Sequence, residues 1–173
     1  MKNKAVLFDR DDTLIVNIPY NGDPQKVKLL PDAKKACHAL AQAGYLLILV
    51  TNQSAVGRGL ISKDQVGQVN SKVEQHLGLS FDGIYCCFDA PNNPVQGCRK
   101  PSPVMIQQAA RDHEIDLGSS IFIGDKESDI QAGHRAGCRT ALITHPHSPP
   151  PSPLADYVSS SLWEICLWIL DAI

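Results

Sequence analysis

At 173 residues the chain is long enough for a single α/β domain, residues 1–173, with a sizeable core. Its 43% hydrophobic and 20% charged residues exclude a disordered or fibrous chain, and a formal net charge of −2 leaves no general basic footprint for nucleic acid. No apolar run is long enough to span a bilayer, Met1-Lys2-Asn3-Lys4 shows no signal pattern, and Cys37, Cys86, Cys87, Cys98, Cys138 and Cys166 lack the spacing of a secreted framework. The expectation is a cytoplasmic protein in a reducing compartment, with no membrane partner.

Strand-like and helix-like segments alternate along the chain, which predicts a three-layer α/β fold with a mostly parallel central sheet. The first strand is about residues 4 to 9. A polar stretch from Asn17 to Leu30, with Pro19, Gly22 and Pro24, reads as a loop or small flap. Pro31 and Asp32 open a helix through Ala43, which Gly44 closes. The apolar run 45 to 50 is a strand buried on both faces. Ser62 and Gln65 form a capping box for a helix through about His76.

A short strand at 83 to 86 leads into a long loop, Cys87 to Pro101, carrying Pro91, Pro94 and Gly97. A helix from Pro103 to about His113, a strand at 119 to 123, a helix from Lys126 to Ala136 and a strand at 139 to 143 follow. The proline-rich tract from His145 to Pro153 fits neither helix nor central strand and reads as a surface connector. Residues 162 to 173 form a closing helix with Trp163 and Leu167 on one face. No insertion after the first or second strand is long enough for a separate cap domain, so the site should be open.

Four polar clusters sit at the ends of these strands or in the loops between them. Asp9 and Asp11, in Phe8-Asp9-Arg10-Asp11-Asp12-Thr13-Leu14, follow the first strand. Two carboxylates at i and i+2 in such a turn can converge on one cation, one acting as nucleophile while the other handles protons, and Thr13 can brace the turn. Thr51-Asn52-Gln53-Ser54 ends the second strand, where a hydroxyl and free backbone N–H groups suit a phosphate oxygen. Cys98-Arg99-Lys100-Pro101 is a cationic pair stopped by proline. Asp125 and Asp129 lie where the strand Ile121-Phe122-Ile123-Gly124 runs into an acidic turn. Singly, each could be a helix cap or a solvated pair.

Together and in this order, the four clusters resemble the motifs of the haloacid dehalogenase (HAD) superfamily, most of whose members are phosphatases. Asp-Arg-Asp, Thr-Asn-Gln-Ser and Cys-Arg-Lys-Pro, with VTNQSAVGRG at 50 to 59 and FIGDKESDIQAGHRAG at 122 to 137, look like one nearly cap-less branch. That branch is the D-glycero-D-manno-heptose 1,7-bisphosphate phosphatases, with the histidinol-phosphate phosphatases as close relatives. The resemblance implies a HAD-like Rossmannoid fold and a Mg²⁺-dependent phosphomonoesterase of a small phosphorylated metabolite. Heptose bisphosphate, cleaved at the 7-phosphate, is the first expected substrate and histidinol phosphate the alternative. A catalytically impaired binding domain is the reading from another class.

By that resemblance Asp9 attacks phosphorus and Asp11 serves as acid and base. Asp9, the backbone carbonyl of Asp11, and Asp125 hold Mg²⁺, while Thr51 and Lys100 hold the transferring oxygens. Asp129 orients Lys100 or a metal-bound water, or is only a solvated helix carboxylate. Substrate contacts map onto Asn17, Tyr20, Thr51, Asn52, Gln53, Ser54, Arg99, Lys100 and Lys126. Tyr20 could instead be a packed loop residue, and Arg58 faces a distal anion or only solvent.

The chain departs from the branch at two places. Asp12 stands where glycine is usual, a position Asp tolerates better than most residues. Structural zinc is not expected, because Asp89 and Gln96 replace two of the four ligands and leave only Cys87 and Cys98. Arg58, Arg99 and Lys126 lean towards an anionic substrate, and the expected state is a monomer.

Overall fold

The computed structural model describes residues 2–91 and 97–171. Its core is a six-stranded sheet of β1 (Ala5–Phe8), β2 (Leu46–Asn52), β3 (Gly83–Cys87), β4 (Ile121–Gly124), β5 (Arg139–Ile143) and β6 (Tyr157–Ser159). All pairings are parallel and the order is β3-β2-β1-β4-β5-β6. β1 is therefore central, with Val6 facing Leu47 on one side and Ile121 on the other. The chain leaves β1 towards β2 and later returns to its other flank as β4. Open parallel sheets bind ligands at such a reversal, beyond the carboxyl ends of the strands.

β1 and β2 are apolar throughout because both of their faces are covered. Val6, Phe8, Leu47 and Leu49 point to one face, where α1 (Ala33–Gln42), α3 (Lys63–Leu77) and α6 (Leu162–Leu170) pack with Leu40, Val69, Val73 and Ile165. Ala5, Leu7, Ile48 and Val50 point to the other, against α4 (Val104–Asp112) and α5 (Glu127–Ala136) through Met105, Ile106, Ala109 and Ala132. Phe8, Leu49 and Ile106 have no solvent exposure. Burying each such side chain stabilises the fold by about 1.5–3 kcal/mol.

The expected helix punctuation holds. Ser62 and Gln65 form both halves of the capping box of α3, and Gly137 ends α5 at φ 90°. The segment between β1 and α1 is a short flap with one 3₁₀ turn, Pro24–Lys26. A second 3₁₀ turn, Leu117–Ser119, precedes β4.

Three expectations need correction. The stretch after the proline tract contains a strand: β6 adds to the sheet edge through Leu142 and Val158. Its three residues are too few to show a period. The buried face of α6 is Leu162, Ile165, Cys166 and Ile169, while Leu167 is exposed. Trp163 lies under the Lys35 ammonium and Trp168 stacks on Tyr157, so the tryptophans rim this core rather than fill it.

The third correction concerns the thiols. Cys87 and Cys98 are joined as a disulfide, while Cys37, Cys86, Cys138 and Cys166 are free. The chain leaves β3 at Cys87 and comes back at Cys98 with the two Cα atoms 5.5 Å apart. Tertiary folding, not spacing, creates that proximity. Among the described residues, no helix is long and apolar enough to cross a membrane.

Candidate active site

β1 ends at Phe8, and the chain turns with Asp9 buried at the mouth of the sheet. The Lys100 ammonium donates to Asp9 Oδ1 at 2.7 Å, to the Val50 carbonyl oxygen at 2.8 Å, and lies 2.8 Å from Asp129 Oδ1. One buried lysine thus serves two buried carboxylates. Asp129 is 1% exposed, so it is no solvated helix carboxylate: it faces Lys100.

Gly124, the last residue of β4 before the Asp125 turn, makes this possible. A Cβ at Gly124 would overlap the Cβ and carboxyl of Asp129. Asp129 Oδ2 also accepts from the Lys126 N–H at 3.1 Å, capping α5.

Carboxylate oxygens of Asp9, Asp125 and Asp129 lie within 4.8 Å of one another. Burial pushes the Asp9 carboxyl up, but the Lys100 ammonium against it, with Lys126 behind, outweighs this and holds it below the usual range. Asp125 goes the other way. Burial, followed by the charge of Asp9, pushes it up to about 7, although Lys126 Nζ stands 3.2 Å away. Burial also raises Asp129 in spite of Lys100. For Lys100, burial pulls down, and Asp129 and Asp9 more than compensate, so the ammonium stays charged. The cluster is short of positive charge at Asp125. An oxygen-seeking divalent cation fits that deficit and that donor set.

Asp11 stands apart from the three carboxylates. Its side chain accepts from Gln53 Nε2 at 2.9 Å and from Arg10 Nη2 at 3.1 and 3.3 Å. Gln53 Nε2 also donates to the Thr51 hydroxyl, which is buried beside the Lys100 side chain's carbonyl anchor at Val50. Asn52 serves the framework of the site. Its Oδ1 accepts from the Lys100 N–H and its Nδ2 donates to the Lys100 carbonyl oxygen, clamping that backbone from both sides. The turn after Asn52 continues as a single helical turn, α2 (Ser54–Gly57).

A cleft of about 260 Å³ opens above these groups. Asp11, Asn17, Tyr20, Gln53, Ser54 and Lys126 line it. Arg58 Nη1 donates to the Tyr20 hydroxyl at 3.4 Å, so these two exposed residues form one lip. Arg99 is not in this cleft. It lines a neighbouring depression of about 530 Å³ with Lys100 and Arg135, and its Nη1 is buried without a hydrogen-bond partner among the described residues. A larger depression of about 850 Å³ lies at the opposite end of the sheet, near Lys2 and Leu117, away from every carboxylate of the cluster.

Asp12 adopts φ 59°, the left-handed geometry that favours glycine, and its Oδ1 accepts from the Asn17 N–H at 3.2 Å. The turn therefore survives the substitution. Thr13 is buried, but its hydroxyl has no partner among the described residues, so it braces the turn by packing.

Two contributors were not read from sequence. Arg10 is 2% exposed and binds Asn70 of α3. His145 Nε2–H donates to the Asp12 carbonyl oxygen at 2.7 Å, tying the proline-rich tract to the first motif. An arginine next to a catalytic motif and a histidine before proline carry no spacing signal of their own.

At the candidate zinc position, the sulfurs of Cys87 and Cys98 and the Asp89 carboxylate come within 4.8 Å of one another. Asp89 Oδ2 accepts from the Cys98 N–H at 3.2 Å. A disulfide offers no thiolate to a metal. Gln96, which stands at a lost ligand position, and Pro94 lie outside the described residues.

A buried aspartate at the end of the central strand, a lysine on it, and an acidic pair across the sheet reversal define a phosphoryl-transfer site of the HAD type. The HAD-hydrolase-like family model matches residues 97–165, the stretch that holds Lys100, Asp125 and Asp129. The D-glycero-alpha-D-manno-heptose-1,7-bisphosphate 7-phosphatase of Burkholderia mallei is 37% identical over 155 residues, 83% of this chain and 80% of the relative. The D-glycero-beta-D-manno-heptose-1,7-bisphosphate 7-phosphatase of Helicobacter pylori (strain J99) is 33% identical, with 96% and 97% covered. The crystal structure of D,D-heptose 1,7-bisphosphate phosphatase from B. bronchiseptica, complexed with magnesium and phosphate, superposes with a TM-score of 0.87 at 27% identity, covering 98% of this chain and 99% of that one. The chain belongs to the HAD-like hydrolases and, within them, to the heptose-1,7-bisphosphate phosphatase family.

Proposed function

We propose that this chain is a single-domain, Mg²⁺-dependent phosphomonoester hydrolase acting on D-glycero-D-manno-heptose 1,7-bisphosphate and releasing the 7-phosphate. The observation that carries the reading is the buried Asp9–Lys100–Asp129 arrangement beside Asp125, at the strand ends of a family fold. Asp9, Asp125 and the Asp11 carbonyl oxygen are the groups that would hold Mg²⁺. When bound, the ion offsets the negative charge of the phosphoryl oxygens and of the carboxylates around them.

Asp9, kept ionised by Lys100, attacks phosphorus as the bond to the sugar oxygen breaks, and becomes an aspartyl-phosphate. Asp11 gives its proton to the departing oxygen. It then takes a proton from water as that oxygen attacks phosphorus and the bond to Asp9 breaks. Lys100 and the Thr51 hydroxyl steady the transferring oxygens, and Asp129 holds the Lys100 ammonium in place. Gln53, Ser54 and Lys126 line the entry, with Asn17 and the Tyr20–Arg58 lip at the sugar end. Arg99 serves the distal phosphate from the neighbouring depression.

Histidinol phosphate is the alternative substrate. The cations Lys126 and Arg58 at the cleft, with Arg99 in the neighbouring depression, favour a second phosphate over an imidazole. The impaired-domain reading loses its main support, because Asp12 fits the turn that glycine usually makes. The working form is a cytoplasmic monomer that needs no zinc, nucleic acid or membrane.

The test is phosphate release from both anomers of the heptose bisphosphate and from histidinol phosphate, with Mg²⁺ and with EDTA, beside Asp9→Asn. Turnover that requires the metal, vanishes in the variant and is best with a heptose bisphosphate is the expected result. Folded protein that binds Mg²⁺ yet releases no phosphate from any of them would sink the proposal.

A further inference from the structure

We propose that Arg10, braced by Asn70, is a positioning residue that aims the Asp11 carboxyl for its two proton transfers. The inference rests on the reading of Asp11 as acid and base given above, and adds a residue and a helix to that site. Arg10 follows the nucleophile directly, yet it points inward and is 2% exposed. Taking a guanidinium out of water costs several kcal/mol before its partners compensate. Packing alone would be met by an apolar side chain of similar volume.

The partners of Arg10 account for its two terminal nitrogens, while Nε is buried with no partner among the described residues. Nη1 donates to Asn70 Oδ1 at 2.9 Å, and Nη2 donates to both oxygens of Asp11 at 3.1 and 3.3 Å. The guanidinium is rigid and planar, so fixing one end on Asn70 fixes the other against Asp11. Asn70 is itself an exception on its helix. It is 4% exposed among Val66, Val69 and Val73, the other buried residues of that stretch of α3. A buried amide on an apolar face needs a partner, and Arg10 is one. With Gln53 on its other side, the Asp11 carboxylate is held by two donors at the cleft, apart from the Asp9, Asp125 and Asp129 cluster.

The test uses p-nitrophenyl phosphate with saturating Mg²⁺ on the full chain, followed by stopped flow. Nitrophenolate leaves without a proton, so Asp9 can be phosphorylated without the acid, but hydrolysis of the aspartyl-phosphate still needs the base. Arg10→Met should keep a burst of nitrophenolate near that expected for one turnover per site. Its steady-state rate should then fall about 100-fold, the scale of a misplaced catalytic group, and KM should fall with it, because kcat/KM reports the phosphorylation step that the variant keeps. Asn70→Ala should follow in the same direction. Asn70→Asp, which keeps the acceptor for Nη1, should restore most of the rate. Asp11→Asn should show the same burst with a still slower second phase.

Burst amplitude and steady-state rate falling together in Arg10→Met would mean lost folded sites and overturn the proposal. So would a steady-state rate within about threefold of wild type while Asp11→Asn is slow. Wild-type turnover in Asp11→Asn would remove the acid–base reading itself, and the positioning role with it.

Discussion

Replacing Asp125 with asparagine should make the metal-free protein more stable while ending its response to Mg²⁺. Burial and the neighbouring Asp9 charge raise this carboxyl from 3.8 to about 7. Because the folded-state value lies above the unfolded one, the folded chain holds the proton more tightly between those pH values. The stability this confers is complete below the unfolded value and is lost as pH rises through about 7. A gap of about three units at 1.36 kcal/mol each puts the cost of ionised Asp125 on the order of 4 kcal/mol. Asparagine keeps the shape and removes the charge. It gives up the contact with Lys126, but that side chain is 56% exposed and the pair contributes little.

The assay is thermal unfolding in EDTA from pH 4 to pH 8.5. Asp125→Asn should melt roughly 5–10 °C above wild type near pH 8, from about 2–4 kcal/mol at this chain length, and the gap should close towards pH 4. Adding Mg²⁺ should raise the wild-type melting temperature by mass action and leave the variant where it was. A variant that melts below wild type in EDTA at pH 8, or a gap that does not change with pH, would refute the account of Asp125 as the under-compensated charge.

Other perturbations test the rest of the cluster. Lys100→Met strands the buried carboxylates of Asp9 and Asp129 and should cost about 3–5 kcal/mol at neutral pH, shrinking in acid as they protonate; chemical denaturation at two pH values measures this. Gly124→Ala forces the Asp129 carboxyl off Lys100, so kcat should drop at least about tenfold and stability by about 1–3 kcal/mol, read by initial rates and calorimetry. Metal analysis of protein purified without chelator should find substoichiometric zinc, since Cys87 and Cys98 are bonded to each other; one tightly held equivalent would contradict the disulfide as the resting state.

The parts legible in the sequence were those with a period, a cap or a motif. The alternation of apolar runs and amphipathic segments specified the parallel sheet, and Ser62–Gln65 marked the start of α3. Asp9, Lys100, Asp125 and Asp129 were found because four clusters fell in order at strand and loop ends. What escaped depends on contacts between distant segments. Whether Asp129 was solvated or buried turned on Gly124 leaving room for it. Asn52 lines the cleft as expected of a substrate contact, but its clamp on the Lys100 backbone, 48 residues away, has no local signal. Arg10 drew no reading of its own, because nothing local announces that Asn70 waits for it across the core. β6 was too short for a pattern and follows a tract of prolines.

The central place of β1 also has a consequence for the life of the chain on the ribosome. Asp9 is made 91 residues before Lys100, and the strand that carries it acquires its second neighbour only when β4, at Ile121–Gly124, has emerged. Lys100 and Asp129 arrive in the same late portion. Until then the nucleophile is an ordinary exposed aspartate on a half-built sheet, with no Lys100 to hold it in place and neither Asp125 nor Asp129 beside it. Nascent chains cut short before about residue 130 should therefore be inert, and the enzyme should switch on as a unit once the last flank of β1 docks.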